Sequence, residues 1–76
     1  MKEISVDARN LLCPMPVIRA QNAIKELEVG DRVSVLCTDP GAMNDIPAWC
    51  RINGHKLVST QEEDELITIV VEVQAE

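Results

Sequence analysis

The stretch LITIVVEV, residues 66–73, is the clearest secondary-structure signal in the sequence. Its large aliphatic side chains recur at every second position, at Ile67, Ile69, Val71 and Val73. A period of two is typical of a β-strand that has one face in the core. The acidic run Glu63–Glu65 predicts a turn in front of this strand, and residues 56–62 predict a weaker strand before the turn. The chain should therefore end in an antiparallel hairpin.

Two more strands are predicted upstream of the hairpin. Residues 4–8 alternate apolar and polar side chains, as a half-buried strand does. Residues 32–38 form the second candidate, with one face made by Val33, Val35 and Cys37. Both segments are short, and each is followed by residues typical of a connection or a turn. We therefore expect four strands in all.

Two helices are predicted between the strands. The first spans residues 14–28, since apolar residues at 17, 20, 24 and 27 share one helical face and Gly30 suits the helix end. The second lies within residues 42–53 and ends before Gly54. A proline deep inside a helix costs about 3 kcal/mol, so Pro47 predicts that the regular helix begins near Asp45 and that residues 40–44 form a separate turn.

The resulting order is βαβαββ. Two amphipathic helices on one face of a four-stranded mixed sheet would close a two-layer α/β (α+β) sandwich. A chain of 76 residues with 46% apolar side chains has room for one such core. We therefore expect a single domain over residues 1–76.

Charge and hydropathy exclude several classes of function. The formal net charge is −6, and residues 57–76 hold six acidic and no basic side chains. Nucleic-acid binding depends on clustered Lys and Arg, and the chain has no basic stripe, so no direct nucleic-acid contact is expected. No apolar run approaches the roughly 20 residues that span a bilayer. We expect a cytoplasmic protein without membrane insertion.

The three cysteines, Cys13, Cys37 and Cys50, form no C-x-x-C pair. A structural zinc site would lack its fourth ligand unless His55 supplied it, so no metal is expected. Cys37 and Cys50 fall on predicted core faces, and His55 follows a glycine in a predicted surface turn. This leaves Cys13 as the candidate for chemistry.

Cys13 precedes the first turn of the first predicted helix. The unbonded N–H groups and the positive dipole end at that point favour an anion, which lowers the pKa of a thiol. Pro14 and Pro16 would stiffen this turn and hold the sulfur in a fixed direction. The alternative is that Cys13 is a small packed hydrophobe, because free cysteines are frequently buried. The residues alone leave both possibilities open.

Two blocks of sequence resemble a known family. The segment DARNLLCPMP, residues 7–16, is similar to the Cys-Pro-x-Pro (CPxP) signature of the TusA-like (SirA- or YedF-like) sulfur carriers. Residues 38–50, TDPGAMNDIPAWC, resemble the family's second block. Asn10 stands where the family usually has glycine, and asparagine tolerates left-handed backbone better than most residues. The family's βαβαββ fold agrees with the order predicted above.

The resemblance implies a sulfur relay in which Cys13 carries sulfane sulfur as a persulfide. A sulfurtransferase-type carrier of this kind would take sulfur from a cysteine desulfurase or rhodanese-like donor and pass it to an acceptor protein, without a metal or organic cofactor. Known uses of such carriers are transfer-RNA thiolation, molybdenum-cofactor maturation and sulfur oxidation. Arg9, Met15 and Arg19 are candidate contacts for a partner protein, and the carrier is expected to be a monomer.

Two alternatives remain open. The chain could be the partner of a thiosulfate-uptake membrane protein, or a non-catalytic regulatory module whose cysteine is structural. The acidic turn at residues 62–65 is expected to be a solvated surface, because charge runs are commonly solvated faces. It is expected to lie away from Cys13, because the net negative charge all follows Lys56 and the turn belongs to the final hairpin, whereas the charges of residues 1–56 balance.

Overall fold

The computed structural model describes residues 2–12 and 14–74, and four strands in this part of the chain form one mixed sheet. The strands are β1 (Glu3–Ala8), β2 (Arg32–Cys37), β3 (Lys56–Glu63) and β4 (Leu66–Glu72), and the helices are α1 (Met15–Ile24) and α2 (Ala42–Asn53). The order across the sheet is β1-β2-β4-β3. β1 runs parallel to β2, and β4 is antiparallel to both β2 and β3. The predicted βαβαββ order and the mixed sheet are confirmed.

The core lies between the sheet and the two helices. The side chains of β2 and β4 that were predicted to face inward are buried and directly opposed in the pairs Val33–Val71, Val35–Ile69 and Cys37–Ile67. Pro16 and Ala20 of α1 and Ile46 and Cys50 of α2 are also buried. The two helices therefore cover the same face of the sheet, in a two-layer α+β sandwich.

α1 is shorter than predicted. It ends at Ile24 rather than at residue 28. Beyond Ile24 the backbone hydrogen bonds join residues three apart instead of four apart, so the α-helical pattern stops there. Glu26 N donates to Ala23 O at 3.2 Å, and Leu27 N donates to Ile24 O at 2.9 Å. Such 3₁₀-type bonds are common at helix ends. Leu27 still packs against the core, as its helical spacing predicted.

The prediction for α2 is wrong at its start. The helix begins at Ala42, three residues before Asp45, and Pro47 lies inside it. Ala42, Ile46 and Cys50 are buried at four-residue spacing. Burial of a large aliphatic side chain contributes about 1.5–3 kcal/mol, which offsets the hydrogen bond that Pro47 cannot donate. Packing of this stripe therefore determines where the helix begins.

The hairpin between β3 and β4 has a two-residue turn. Asp64 and Glu65 have positive φ values of 51° and 68°, the geometry that matches the twist of paired strands. Glu63 pairs with Leu66 and belongs to β3, so the prediction that it is part of the turn is wrong.

In residues 2–12 and 14–74, neither helix has the length and apolar character needed to cross a membrane.

A buried carboxylate ties three chain segments together at the sheet edge where β2 begins. Asp31 is 9% exposed, and its two oxygens accept backbone hydrogen bonds from Lys2 and Glu28, each of 2.9 Å. The backbone of Asp31 also accepts a bond of 2.8 Å from Val73 N. The N–H groups of Glu28, and then of Lys2, lower the pKa of Asp31 because they stabilise its charged form.

We expect Asp31→Asn to destabilise the fold at neutral pH. The asparagine side chain has one oxygen acceptor, whereas the two carboxylate oxygens of Asp31 each accept a backbone hydrogen bond. The folded-state pKa of Asp31 is lowered, so its stabilising contribution is present above the unfolded-state pKa and is lost as pH falls through the folded value. The difference from the wild type should therefore be largest near pH 7 and shrink on acidification. Urea unfolding followed by Trp49 fluorescence measures it. Glu26→Gln, an exposed acid, is the control, and a pH-independent difference would contradict this account.

Candidate functional site

Three connections meet at one edge of the sheet. Because β1 and β2 are parallel, the segment after Ala8 and the segment after Cys37 leave from the same edge. β4 is antiparallel to β2, so the Asp64–Glu65 turn lies at that edge as well. We call this edge of the sheet the connector edge. It consists of residues 9–12, residues 38–41 and the Asp64–Glu65 turn. Cys13 follows residues 9–12 in the chain but lies outside the described residues.

The segment after β1 is held by specific hydrogen bonds. Asn10 has a left-handed φ of 63°, and its backbone N–H donates to Thr38 Oγ1 at 2.9 Å. The expectation that asparagine would tolerate left-handed backbone here is confirmed. The bond to Thr38 joins the segment that leads to Cys13 to the connection between β2 and α2.

Arg9 is paired with Asp7. Its Nε and Nη2 donate to the two carboxylate oxygens of Asp7 at 2.9 and 3.1 Å. This hydrogen-bonded pairing lowers the pKa of Asp7 to about 2. Both side chains are exposed, so the pair contributes little to stability. The predicted contact residue Arg9 is thus oriented on the surface by its neighbour.

The residues on both sides of Cys13 are hydrogen-bonded to the first turn of α1. Met15 N donates to Leu12 O at 2.9 Å, and Ile18 N donates to Pro14 O at 3.1 Å. Pro14 occupies the N-cap position, and in the described part of the chain α1 has neither a side-chain cap nor an acidic residue in its first turn. The positive end of its dipole is therefore available to an anion.

The two prolines of the Cys-Pro-Met-Pro segment have different surroundings. Pro16 is among the fully buried side chains and anchors the first turn of α1 in the core, whereas Pro14 is exposed. Met15 between them is 39% exposed. Arg19 follows one turn later on the accessible surface.

The other two thiols lie in the core, as predicted. Cys37 is 0% exposed and Cys50 is 2% exposed, and burial raises the pKa of each thiol to about 11. At neutral pH both are therefore protonated and shielded from reagents. Among the described residues no three His, Cys, Asp or Glu side chains converge as a metal site would require.

His55 lies in the connection after Gly54, between α2 and β3, as predicted, but its side chain is half-buried rather than fully exposed. Its Nδ1 accepts a hydrogen bond of 3.2 Å from Gln74 N, and its ring centroid lies 5.4 Å from that of Trp49. The hydrogen bond joins residues that are 19 positions apart in the sequence, and the ring contact joins residues on either side of the end of α2. No local sequence signal distinguishes this arrangement from an exposed turn.

The acidic turn does not lie away from the segment that leads to Cys13. Glu62 and Glu65 line an open groove of about 420 Å³ together with Asn10, Thr38 and Pro40. The turn lies beside this segment because the antiparallel β4 begins where β1 and β2 end. The charge distribution and the element order, from which the separation was predicted, do not encode this strand pairing.

We expect the turn to repel anions from Cys13. Replacing Glu63, Asp64 and Glu65 by serine should raise the reaction rate of Cys13 with an anionic aromatic disulfide roughly threefold at low ionic strength. A neutral pyridyl disulfide should react equally fast with both proteins. Stopped-flow absorbance at low and high salt measures the rates, and equal rates with the anionic reagent would show that the turn exerts no field there.

The fold and its relatives identify the class of protein. The architecture matches the crystal structure of the SirA-like protein from Desulfitobacterium hafniense with a TM-score of 0.84 and 30% identity, over 95% of this chain and 99% of that one. Residues 4–73 match the family described as sulfurtransferase TusA. The chain belongs to the TusA family of sulfur carriers.

Named relatives agree with this assignment. The sulfur carrier protein TusA of Pseudomonas aeruginosa is 43% identical over 58 residues, covering 76% of this chain and 73% of its own. A protein of Neisseria meningitidis named as a candidate sulfur carrier is 40% identical over 72 residues, covering 95% of this chain and 97% of its own.

Proposed function

We propose that this protein carries sulfane sulfur as a persulfide on Cys13 and relays it between two proteins. Family membership supports a carrier, and a carrier implies a donor and an acceptor. The observation that carries the assignment to Cys13 is the burial of the other two thiols. Cys37 and Cys50 are inaccessible and protonated at neutral pH, which leaves Cys13 as the thiol for the relay.

The transfer needs no external oxidant or reductant. The Cys13 thiolate attacks the outer sulfur of a persulfide on the donor, a bond forms between Sγ and that sulfur, and the donor's S–S bond breaks. The bonding electrons leave with the donor, which becomes a thiolate, while Cys13 becomes the persulfide. Delivery repeats this step with an acceptor thiolate attacking the outer sulfur of Cys13. The reaction is a form of thiol–disulfide exchange, and it involves no metal or organic cofactor.

The start of α1 favours an anionic sulfur at Cys13. The uncapped N-terminus of α1 directs its positive dipole end toward the segment on which Cys13 lies, and no acidic residue occupies its first turn. Pro14 and Pro16 would restrict the backbone on the C-terminal side of the thiol, and Pro16 is itself held in the core. We assign both prolines this positioning role.

We also propose a class of donor, a compartment and an oligomeric state. The donor is a cysteine desulfurase or a rhodanese-like protein, and Arg9, Met15 and Arg19 on the accessible surface are the proposed contacts. We place the protein in the cytoplasm, where a reducing environment keeps the thiol free, and propose that it acts as a monomer.

Mass spectrometry after incubation with a cysteine desulfurase and L-cysteine tests this function. We expect the mass of one added sulfur atom on Cys13 and none on Cys13→Ser. Cys37→Ala and Cys50→Ala should load normally and lose about 1 kcal/mol of stability, as small core deletions do.

The other outcomes distinguish the alternatives. Loading from thiosulfate alone would indicate the partner of a thiosulfate-uptake protein. Absence of added sulfur with every donor would indicate a non-catalytic module. Loss of loading in a folded Cys50→Ala protein would show that a second thiol takes part, which the burial of Cys50 argues against.

A further inference from the structure

Thr38 joins two segments of the connector edge that are 28 residues apart in the chain. Its Oγ1 accepts a hydrogen bond of 2.9 Å from Asn10 N. Thr38 follows Cys37, the fully buried last residue of β2, and β2 lies between β1 and β4 in the sheet. The backbone that carries Thr38 is therefore held by the centre of the sheet. Its side chain is a fixed point to which the segment before Cys13 is attached.

The bond is separate from the contacts that form the entry to α2. The turn that leads into α2 is closed by Asp39, whose Oδ1 accepts a hydrogen bond of 3.2 Å from Gly41 N. Within the described chain, α2 has no side-chain cap at its N-terminus. Threonine is β-branched, so few rotamers are open to it and its hydroxyl has a restricted direction. Thr38 thus directs an oriented acceptor toward the segment that follows β1.

Asn10 is the residue on which this acceptor acts. Its φ of 63° lies in the left-handed region, which only a few per cent of non-glycine residues adopt. Because Asn10 is exposed, water can replace Thr38 as the acceptor, and the bond adds little to the free energy of unfolding. Water does not provide a fixed direction, however. The bond therefore restricts the path of the chain more than it stabilises the fold.

The chain on the other side of Cys13 is fixed independently. Met15 N donates to Leu12 O at 2.9 Å, and Pro16 is buried in the core. Cys13 lies in the chain between Asn10 and these contacts. The rate of a reaction between held groups depends steeply on their orientation, and a misplacement of about 1 Å can cost about 100-fold. Loss of the fixed point at Asn10 should therefore affect the thiol.

Building on the proposed function, we propose that Thr38 is a positioning residue for sulfur transfer at Cys13. It acts through Asn10, whose bond to Oγ1 holds the segment after β1 so that the Cys13 thiolate stays at the N-terminal end of α1. The positive end of the helix dipole stabilises the sulfur anion there. In this role Thr38 touches neither of the reacting sulfur atoms. Its loss should slow the attack of the thiolate without weakening the binding of the donor protein.

Substitutions at Thr38 with matched controls test this role. Thr38→Val removes the acceptor oxygen and keeps the branched shape, and Thr38→Ala removes both. Thr38→Ser keeps the hydroxyl, and Thr60→Val makes the same chemical change in β3. One measurement is the loading of Cys13 by a cysteine desulfurase with L-cysteine, with kcat and KM determined separately. The other is the rate of alkylation of Cys13 by iodoacetamide as a function of pH, which needs no sulfur donor.

Thr38→Val and Thr38→Ala should lower kcat for loading about tenfold and leave KM unchanged. The pH of half-maximal alkylation should rise in both, because the thiolate is less often near the helix dipole. Thr38→Ser should behave as the wild type does, and so should Thr60→Val. Urea unfolding should show a similar stability for all of these proteins.

A structural role alone would lower the stability of Thr38→Val and Thr38→Ala and leave the pH profile of alkylation at the wild-type position. That result would overturn the positioning role, as would a Thr38→Ser protein that behaves like Thr38→Val. A wild type whose Cys13 is alkylated but which no donor loads would instead overturn the carrier function.

Discussion

The antiparallel pairing of β2 with β4 is the interaction on which the rest of the structure depends. Three directly opposed pairs of buried side chains lie between these strands, at the centre of the sheet. Burying each large aliphatic side chain contributes about 1.5–3 kcal/mol, and a register shift of one residue would turn the whole set to the other face. The pairing also determines the end of the sheet at which the turn between β3 and β4 lies.

The direction of β4 has a functional consequence. If β4 ran parallel to β2, its first residue and the acidic turn before it would lie at the edge where Asp31 ties the chain together. Because β4 is antiparallel, the turn instead shares a groove with Asn10 and Thr38, beside the segment that leads to Cys13. The electrostatic field around the proposed sulfur site is thus a result of strand pairing.

Burial separates the three chemically similar cysteines. Cys37 and Cys50 are held in the core, where desolvation disfavours the thiolate and raises the pKa of each thiol. They serve as small apolar side chains that complete the packing under the helices. A carrier that works with one thiol gains from this arrangement, because a persulfide meets no accessible second cysteine in the described chain with which to form a disulfide.

The sequence by itself determined the elements, the inward faces and the candidate thiol, because these depend on local periodicity and on residues adjacent in the chain. The alternation of Ile67, Ile69 and Val71 and the Cys-Pro-Met-Pro segment are signals of this local kind. The tertiary structure alone decided the start of α2 at Ala42, since burial of a helical stripe outweighed the local cost of Pro47. It also decided the partners of His55 and the position of the acidic turn, because both depend on contacts between residues that are distant in sequence and that periodicity does not encode.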